Sequence, residues 1–493
     1  MSDRRDDQAH ILFDPRPVLL VVGIFMAILG ASMLAPAFVD FALGNSNWSV
    51  FLGAAAVSAG AGLVLWGSAR GVGTGLAARQ AILMTALTWT LLAALGALPF
   101  YWSGATPTYT DAFFESMSGI TTTGATVLEN LDDRPMGILF WRAMLQWLGG
   151  LGFVVMAVAV FPMLQIGGMQ LFKAEAFDTA EKILPRAAQI SGSMTVIYVG
   201  LTAMCAIAYS VVGMGTADAV MHAMTTVATG GFSSKDDSIG FFQSAEIEMI
   251  AIVFMILGSL PFIHYIQLVR GRAQPLYADS QVRTFLVLVM VLTLMLWIYQ
   301  DAAGLEPGLT GLRHSAFNLI SIMTGTGYAT MNYESWGWFA TVMMFFVMFI
   351  GGCAGSTSCG IKIFRFQVLF QELRQQINRM TYPHGVFTKR FNNKPIADTV
   401  SSAVMSFFFL YLMSFVCLAA LLSINGLDTL TAFSGAATSI SNVGPGLGEI
   451  IGPKGTFRTL DETSKWLLSA GMLLGRLELF TILVIFLPAF WRS

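Results

Sequence analysis

Four short stretches of this chain each carry at least one hydroxyl residue and end in a glycine: Thr121-Thr122-Thr123-Gly124, Ala228-Thr229-Gly230-Gly231, Thr324-Gly325-Thr326-Gly327 and Ser441-Asn442-Val443-Gly444. Aligned on the final glycine, other columns agree. Ser118, Thr225, Ser321 and Thr438 stand six positions earlier, and Asp111, Asp218, His314 and Thr431 stand thirteen earlier. What such stretches can supply is oxygen. Glycine allows the backbone angles that turn successive carbonyls to one side, and Thr and Ser hydroxyls can brace the loop or add ligands. Four loops around one axis would form a ring of carbonyls able to replace the water shell of a dehydrated monovalent cation. A single Thr-Thr-Thr-Gly would carry little weight, because small residues are common in membrane helices for packing alone. Four copies in register are harder to explain that way.

The glycines lie 107, 96 and 117 residues apart, too long for a solenoid repeat. The spacing suits a pseudo-fourfold assembly in which each quarter contributes one loop. Composition gives the setting. The 493 residues are 55% hydrophobic and only 11% charged, where a soluble protein carries about 25% charge. Several almost uncharged runs reach the roughly 18 residues that a bilayer-spanning helix needs. The class is therefore an all-α polytopic membrane protein. A net charge of −2 gives no reason to propose nucleic acid as a partner. Cys205, Cys353, Cys359 and Cys417 show neither zinc-like nor disulfide-framework spacing and read as reduced packing residues.

Taken in order, residues 1–78 form a two-helix extension with spans near 18–39 and 50–68. The first is too long for a signal-peptide core. Four repeats follow, each a helix, a short re-entrant helix, the glycine loop and a second helix. Repeat one (79–189) uses 81–101, 109–120 and 138–166. Repeat two (190–281) uses 190–212, 217–227 and 246–269. Repeat three (282–394) uses 283–300, 312–323 and 337–371, and repeat four (395–493) uses 398–424, 428–440 and 465–490. That makes ten crossings and four half-crossings. A run of about 12 residues is too short to cross, so it should enter and turn back. Irregular backbone at membrane depth survives only inside protein or along a watery cavity. The re-entrant helices would aim their negative C-terminal dipoles at the axis, favouring a cation.

Loop charge sets the orientation. The connectors 70–79, 166–189, 270–283 and 362–394 carry most of the Lys and Arg, among them Arg70, Lys173, Lys182, Arg186 and Arg374, whereas 40–49 and 301–312 carry none. The asymmetry places both termini in the cytoplasm and the glycine loops near the outer face.

Two further stretches stand out by composition. Gly351, Gly352, Gly355, Ser356, Thr357, Gly360 and Lys362 interrupt the second helix of repeat three, a composition that a lipid-facing helix tolerates poorly. It reads as a flexible gate across the pore or as a close helix-crossing seam. Arg476, in Gly475-Arg476-Leu477-Glu478, sits in an otherwise uncharged run, where a mid-membrane arginine costs about 2.5–3.5 kcal/mol and should face a cavity or partner. Arg476 and Glu478 are two apart, share no helix face and should not pair with each other. Asp111 and Asp218 read as N-caps of re-entrant helices, with cation attraction at the outer mouth as the lesser role. His222 and His264 read as structural hydrogen-bonding residues, with proton relay as the lesser role. Glu115 and Asn318 share a column nine before their glycines, placed to hydrogen-bond behind the loops.

The residues resemble the Trk/Ktr/HKT superfamily of potassium-translocating proteins, most closely its TrkH-type membrane subunits. The matching stretches are Phe114 to Thr126, Thr229-Gly230-Gly231-Phe232-Ser233, Thr324-Gly325-Thr326-Gly327-Tyr328 and Ser441-Asn442-Val443-Gly444-Pro445. The resemblance covers the whole chain. It implies a filter marked by Gly124, Gly231, Gly327 and Gly444, an intramembrane gate at 351–362 and a pore-lining Arg476. Some sodium-selective relatives carry serine at the first of these glycines, so Gly124 favours potassium. Family members often have glycine where this chain has Ser358 and Cys359. The resemblance further implies a homodimer in the bacterial inner membrane and a cytoplasmic nucleotide-binding regulatory subunit. The basic segment 362–394 would be a docking face for that subunit or a contact with anionic membrane lipid. No Walker loop or Rossmann fingerprint occurs in this chain, so no cofactor is expected and K⁺ would be cargo. The competing class is an alternating-access carrier for Na⁺ or K⁺, proton- or sodium-coupled, although carriers typically show two inverted halves rather than four like quarters. A membrane enzyme lacks a clustered His/Asp/Glu set at catalytic spacing.

Overall fold

The structure is a computed structural model that describes residues 14–69, 77–159, 168, 187–392 and 394–492. Seven of its helices are long and apolar enough to cross a membrane: Arg16–Ala42 (slightly broken at Met33), Trp48–Ser68, Ala78–Trp102, Met136–Ala157, Gln189–Val211, Ser280–Ala302 and Asp398–Ile424. The segments 160–167 and 169–186, with Lys173, Lys182 and Arg186, lie outside the described residues, as does Arg70.

Two spans expected to be continuous are broken, the break expected in repeat three is longer than anticipated, and the breaks have local causes. The second helix of repeat two is Ala245–Gly258 followed by Phe262–Val269, bent by 96°. Pro261 starts the second piece, where its missing N–H and fixed φ forbid helix continuation. The second helix of repeat four, Glu462–Arg476, turns by 109° into 480–486. Its hinge is Glu478 and Leu479, both left-handed at φ 60° and 48°, a conformation that ends a helix of L-residues. In repeat three, Trp338–Val347 has ten residues, about 15 Å of rise, roughly half of a bilayer core. Helix resumes only at Ile363–Thr381. The irregular segment is therefore 348–362, longer than the expected 351–362.

The N-terminal pair packs through small residues. A Cβ on Gly23 would lie 2.6 Å from Gly62 O, and one on Gly62 would lie 2.5 Å from Gly23 O. Bare backbones approach closely at such a seam. Asp40, fully buried, accepts from Gly137 N–H at 2.8 Å and ties this pair to the start of Met136–Ala159. Beside the helices, Arg390–Phe391 pairs antiparallel with Lys394–Pro395 in a short hairpin. Lys389 pins this hairpin through Glu372 and Asp398, both at 2.7 Å.

Candidate functional site

Four re-entrant helices converge on the site: Tyr109–Ile120, Thr216–Val227, Gly308–Thr324 and Thr429–Ser441. The third starts four residues earlier than expected, after Pro307. Asp111 and Asp218 do not cap their helices. The cap of the first is Thr108, whose hydroxyl accepts from Asp111 N–H, and Gly215 precedes the second without a side-chain cap. Both aspartates lie a turn further in, still beside the positive helix end. There Asp111 pairs with Lys465 at 2.6 Å and Asp218 accepts from Ser234 at 2.6 Å. Asp428 caps the fourth helix and accepts from Thr431, which holds its carboxyl below the usual range.

All four helices end in the same way. The N–H groups of Thr122, Thr229, Gly325 and Asn442 reach three residues back, at 3.0–3.3 Å, to Gly119, Thr226, Ile322 and Ser439. The next N–H groups, of Thr123, Gly230, Thr326 and Val443, reach five residues back at 2.9–3.0 Å to Ser118, Thr225, Ser321 and Thr438. This is a Schellman ending, which requires a left-handed residue at its turn. Thr122, Thr229, Gly325 and Asn442 supply it at φ 50–75°. Two residues on, Gly124, Gly231, Gly327 and Gly444 are left-handed again, at φ 77–111°. The column of small hydroxyl residues six before each glycine thus provides the carbonyl on which each turn closes.

The loops meet as a closed ring. A Cβ on Gly124 would lie 2.3 Å from Gly230 O, one on Gly231 1.8 Å from Thr326 O, one on Gly327 2.0 Å from Val443 O, and one on Gly444 2.8 Å from Thr123 O. Each glycine therefore abuts the carbonyl preceding the glycine of the next repeat, and the fourth returns to the first. Only a residue without Cβ fits this approach. Among the described residues no donor reaches the carbonyls of Thr122, Thr123, Gly124, Thr229, Gly231, Gly325, Thr326, Gly327, Asn442, Val443 or Gly444. Gly230 O is the exception and accepts from Gln146 Nε2 at 2.5 Å.

Side chains lock the ring from outside. The Thr121 and Thr123 hydroxyls are 2.8 Å apart, as are those of Thr324 and Thr326. Asn442 Nδ2 donates to Thr123 Oγ1 at 2.9 Å and joins the fourth loop to the first. Ser441 Oγ sits 2.7 Å from Tyr411 OH, and Ala228 O accepts from the Thr229 hydroxyl. In the column nine before each glycine, Glu115 accepts from Val127 N–H and the Thr126 hydroxyl, and Asn318 accepts from Thr330 N–H. His222 occupies the same column and pairs with Ser233 Oγ at 2.9 Å. His264 pairs with Asp279 at 2.8 Å and contributes no hydrogen bond to the four loops among the described residues.

Sequence reasoning missed Arg142 and Gln146, both buried in Met136–Ala159. Arg142 pairs with Glu115 at 2.8 Å, donates to Ser233 O at 2.7 Å and lies 4.2 Å over the Phe232 ring. Gln146 accepts from Phe232 N–H while holding Gly230 O. The available signal was a strong donor four residues from an amide on one helix face in an apolar run.

Directly beneath the ring, the three helix breaks meet. In the 348–362 loop, Cys353 N–H donates to Ser259 O, Thr357 N–H to Gly258 O, and Gly355 O accepts from Phe262 N–H, at 2.9–3.1 Å. The Thr357 hydroxyl also reaches Gly258 O at 2.8 Å and Val227 O at 3.0 Å. Gly351 N–H bonds Ile361 O, Gly352 N–H bonds Ser358 Oγ and the Ser356 hydroxyl bonds Cys353 O. Gly355 and Gly360 are left-handed. Cys359 is close to both Thr122 Oγ1 and Gly325. Arg476 donates to Thr357 O and Gly149 O, each at 3.3 Å, touches Cys359 Sγ and lies 4.0 Å over Phe153. Lys362 binds Ser358 O and faces the same ring. Glu478 pairs with Arg365 rather than with Arg476. Three buried cations and one carboxylate thus share the layer below the ring.

This architecture has a counterpart among known proteins. A family model described as "TrkH: Cation transport protein" matches residues 48–493. The chain belongs to the TrkH family. A Trk system potassium uptake protein TrkI from Halomonas elongata is 41% identical over 478 residues, covering 97% of each chain. Escherichia coli K12 TrkH is 36% identical, over 97% of this chain and 99% of its own. The crystal structure titled as the potassium transporter TrkH from Vibrio parahaemolyticus superposes with a TM-score of 0.90 at 35% identity, covering 97% of this chain and 99% of that one. As a TrkH-family protein the chain is a multi-pass membrane transport protein. Among its described residues no group of three or more His, Cys, Asp or Glu could hold a metal ion. Cation binding at the ring would use neutral oxygens.

Proposed function

We propose that this chain takes up potassium across the bacterial inner membrane through a filter built from residues 121–124, 228–231, 324–327 and 441–444. The closed ring of glycine-to-carbonyl approaches carries the reading. Carbonyls without protein donors at membrane depth need a partner, and a dehydrated cation supplies one. The helix C-termini point their negative ends at the same place. Gly124 at the first ring position supports potassium over sodium. K⁺ is cargo here, and the chain has no cofactor of its own in this reading.

The 348–362 loop and Arg476 form the gate. A unit charge about 6 Å from a passing K⁺ at an effective dielectric near 20 opposes it by about 3 kcal/mol, roughly a hundredfold in rate. Opening requires the loop to release Gly258 O and Ser259 O and the guanidinium to swing off Thr357 O. Both termini are cytoplasmic, the protein is a homodimer in contact with membrane lipid, and a cytoplasmic nucleotide-binding subunit of the Trk peripheral type drives the gate. Segment 362–394 is its docking face.

Alternating access is the second reading, favoured by the meeting of three broken helices at one level. Single-channel recording from the purified protein in planar bilayers decides between them. Unitary currents support the pore, and macroscopic coupled flux without unitary currents supports the carrier.

A further inference from the structure

A cavity of about 1130 Å³ opens beside the gate loop, lined mainly by residues of 261–284 and 366–396. Its inner wall includes Pro261, Ala354 and Gly355, and Phe366 and Phe370 give it an apolar flank. Arg283 and Arg390 line it and enter no ion pair among the described residues. The lining carboxylate, Asp279, is already engaged by His264 and by the N–H of Gln281. Gln267, nine-tenths buried, lines the cavity with an amide Oε1 that has no partner, and His264 Nδ1 also lacks one. Turned end for end, the Gln267 amide presents its NH₂.

We infer that this cavity binds a phosphate-bearing amphiphile, an anionic phospholipid, with its phosphate between Arg283 and Arg390 and its acyl chain against Phe366 and Phe370. Guanidinium groups grip phosphate oxygens bidentately. A basic pocket between helices at the cytoplasmic membrane face suits an anionic headgroup. The apolar flank and the large volume favour a lipid over a free phosphate. The site is wired to the loop: Asp279 holds Gln281, and Gln281 Oε1 accepts from Ala354 N–H at 3.0 Å. An occupied cavity braces 354–355 against Phe262 and keeps the loop across the pore. This last step rests on the gate reading given above.

The test is native mass spectrometry of the purified full chain, titrated with phosphatidylglycerol or phosphatidylcholine, and of Arg283→Ala/Arg390→Ala. Phosphatidylglycerol adducts are expected to weaken about fivefold per arginine removed, with phosphatidylcholine unaffected. Gln267→Glu, which leaves both arginines in place, must weaken the same adducts. Equal binding by wild type and double variant overturns the site. Displacement by millimolar inorganic phosphate keeps the phosphate chemistry and overturns the lipid as its source. In vesicles, rubidium uptake by wild type should fall when phosphatidylglycerol is added, and the double variant should not respond. Intact binding with no change in uptake overturns the coupling. Absent uptake in every vesicle would instead count against the potassium reading, since the binding arm does not depend on it.

Discussion

At the scale of single residues, the ring depends on groups that never face its axis. Glu115 and Arg142 form a buried pair that binds the exit of the first loop to that of the second. Removing one partner of such a pair costs about 3–5 kcal/mol, because the other charge is stranded. Glu115→Gln should therefore lower the thermal unfolding midpoint sharply, and Glu115→Gln/Arg142→Met should recover part of the loss. A double variant no more stable than Glu115→Gln alone would show that the pair is not what holds these loops. The glycine columns were legible in the sequence because a missing Cβ is a chemical absence that alignment exposes. The left-handed turn two residues earlier was not, since Thr122 and Thr229 are residue types that rarely adopt it. Asp111 and Asp218 misled because aspartate is favoured at a cap and also suits the first turn; the choice between them depends on where the helix starts, the least certain feature of a sequence reading.

At the scale of elements, the re-entrant helices were readable from their length, and the breaks only in part. Glycines flagged the third-repeat loop, whereas Pro261 falls inside the one continuous helix expected over 246–269. The bend after Arg476 has no such marker, because Glu478 and Leu479 are held left-handed by tertiary contacts such as the Arg365 pair. Two predictions belong here. Thr357→Val removes the hydroxyl that reaches Val227 O and Gly258 O, about 1 kcal/mol of loop anchoring, and should raise rubidium uptake roughly fivefold. Arg476→Ala removes the fixed charge and should raise uptake by up to about a hundredfold. Unchanged flux and potassium affinity in Arg476→Ala would end the barrier role.

At the scale of the whole molecule, the two faces differ in charge. On the face that holds the re-entrant helix N-termini, cations are matched by acids, as in Lys454–Asp237, Arg458–Glu129 and Lys465–Asp111. The opposite face carries the exposed Arg374, Arg379 and Arg390. With the native cysteines replaced, a single cysteine at Lys454 should react with an impermeant thiol reagent from outside the cell, and one at His384 only from the cytoplasm. Labelling of both from one side would refute the topology. The central claim is tested most directly by rubidium against sodium uptake in proteoliposomes, for wild type and Gly124→Ser. A Cβ at 124 would press on Gly230 O, 2.3 Å away, and open the ring. The account predicts that wild type favours rubidium and that Gly124→Ser loses most of this preference. A variant that discriminates as well as wild type would contradict it.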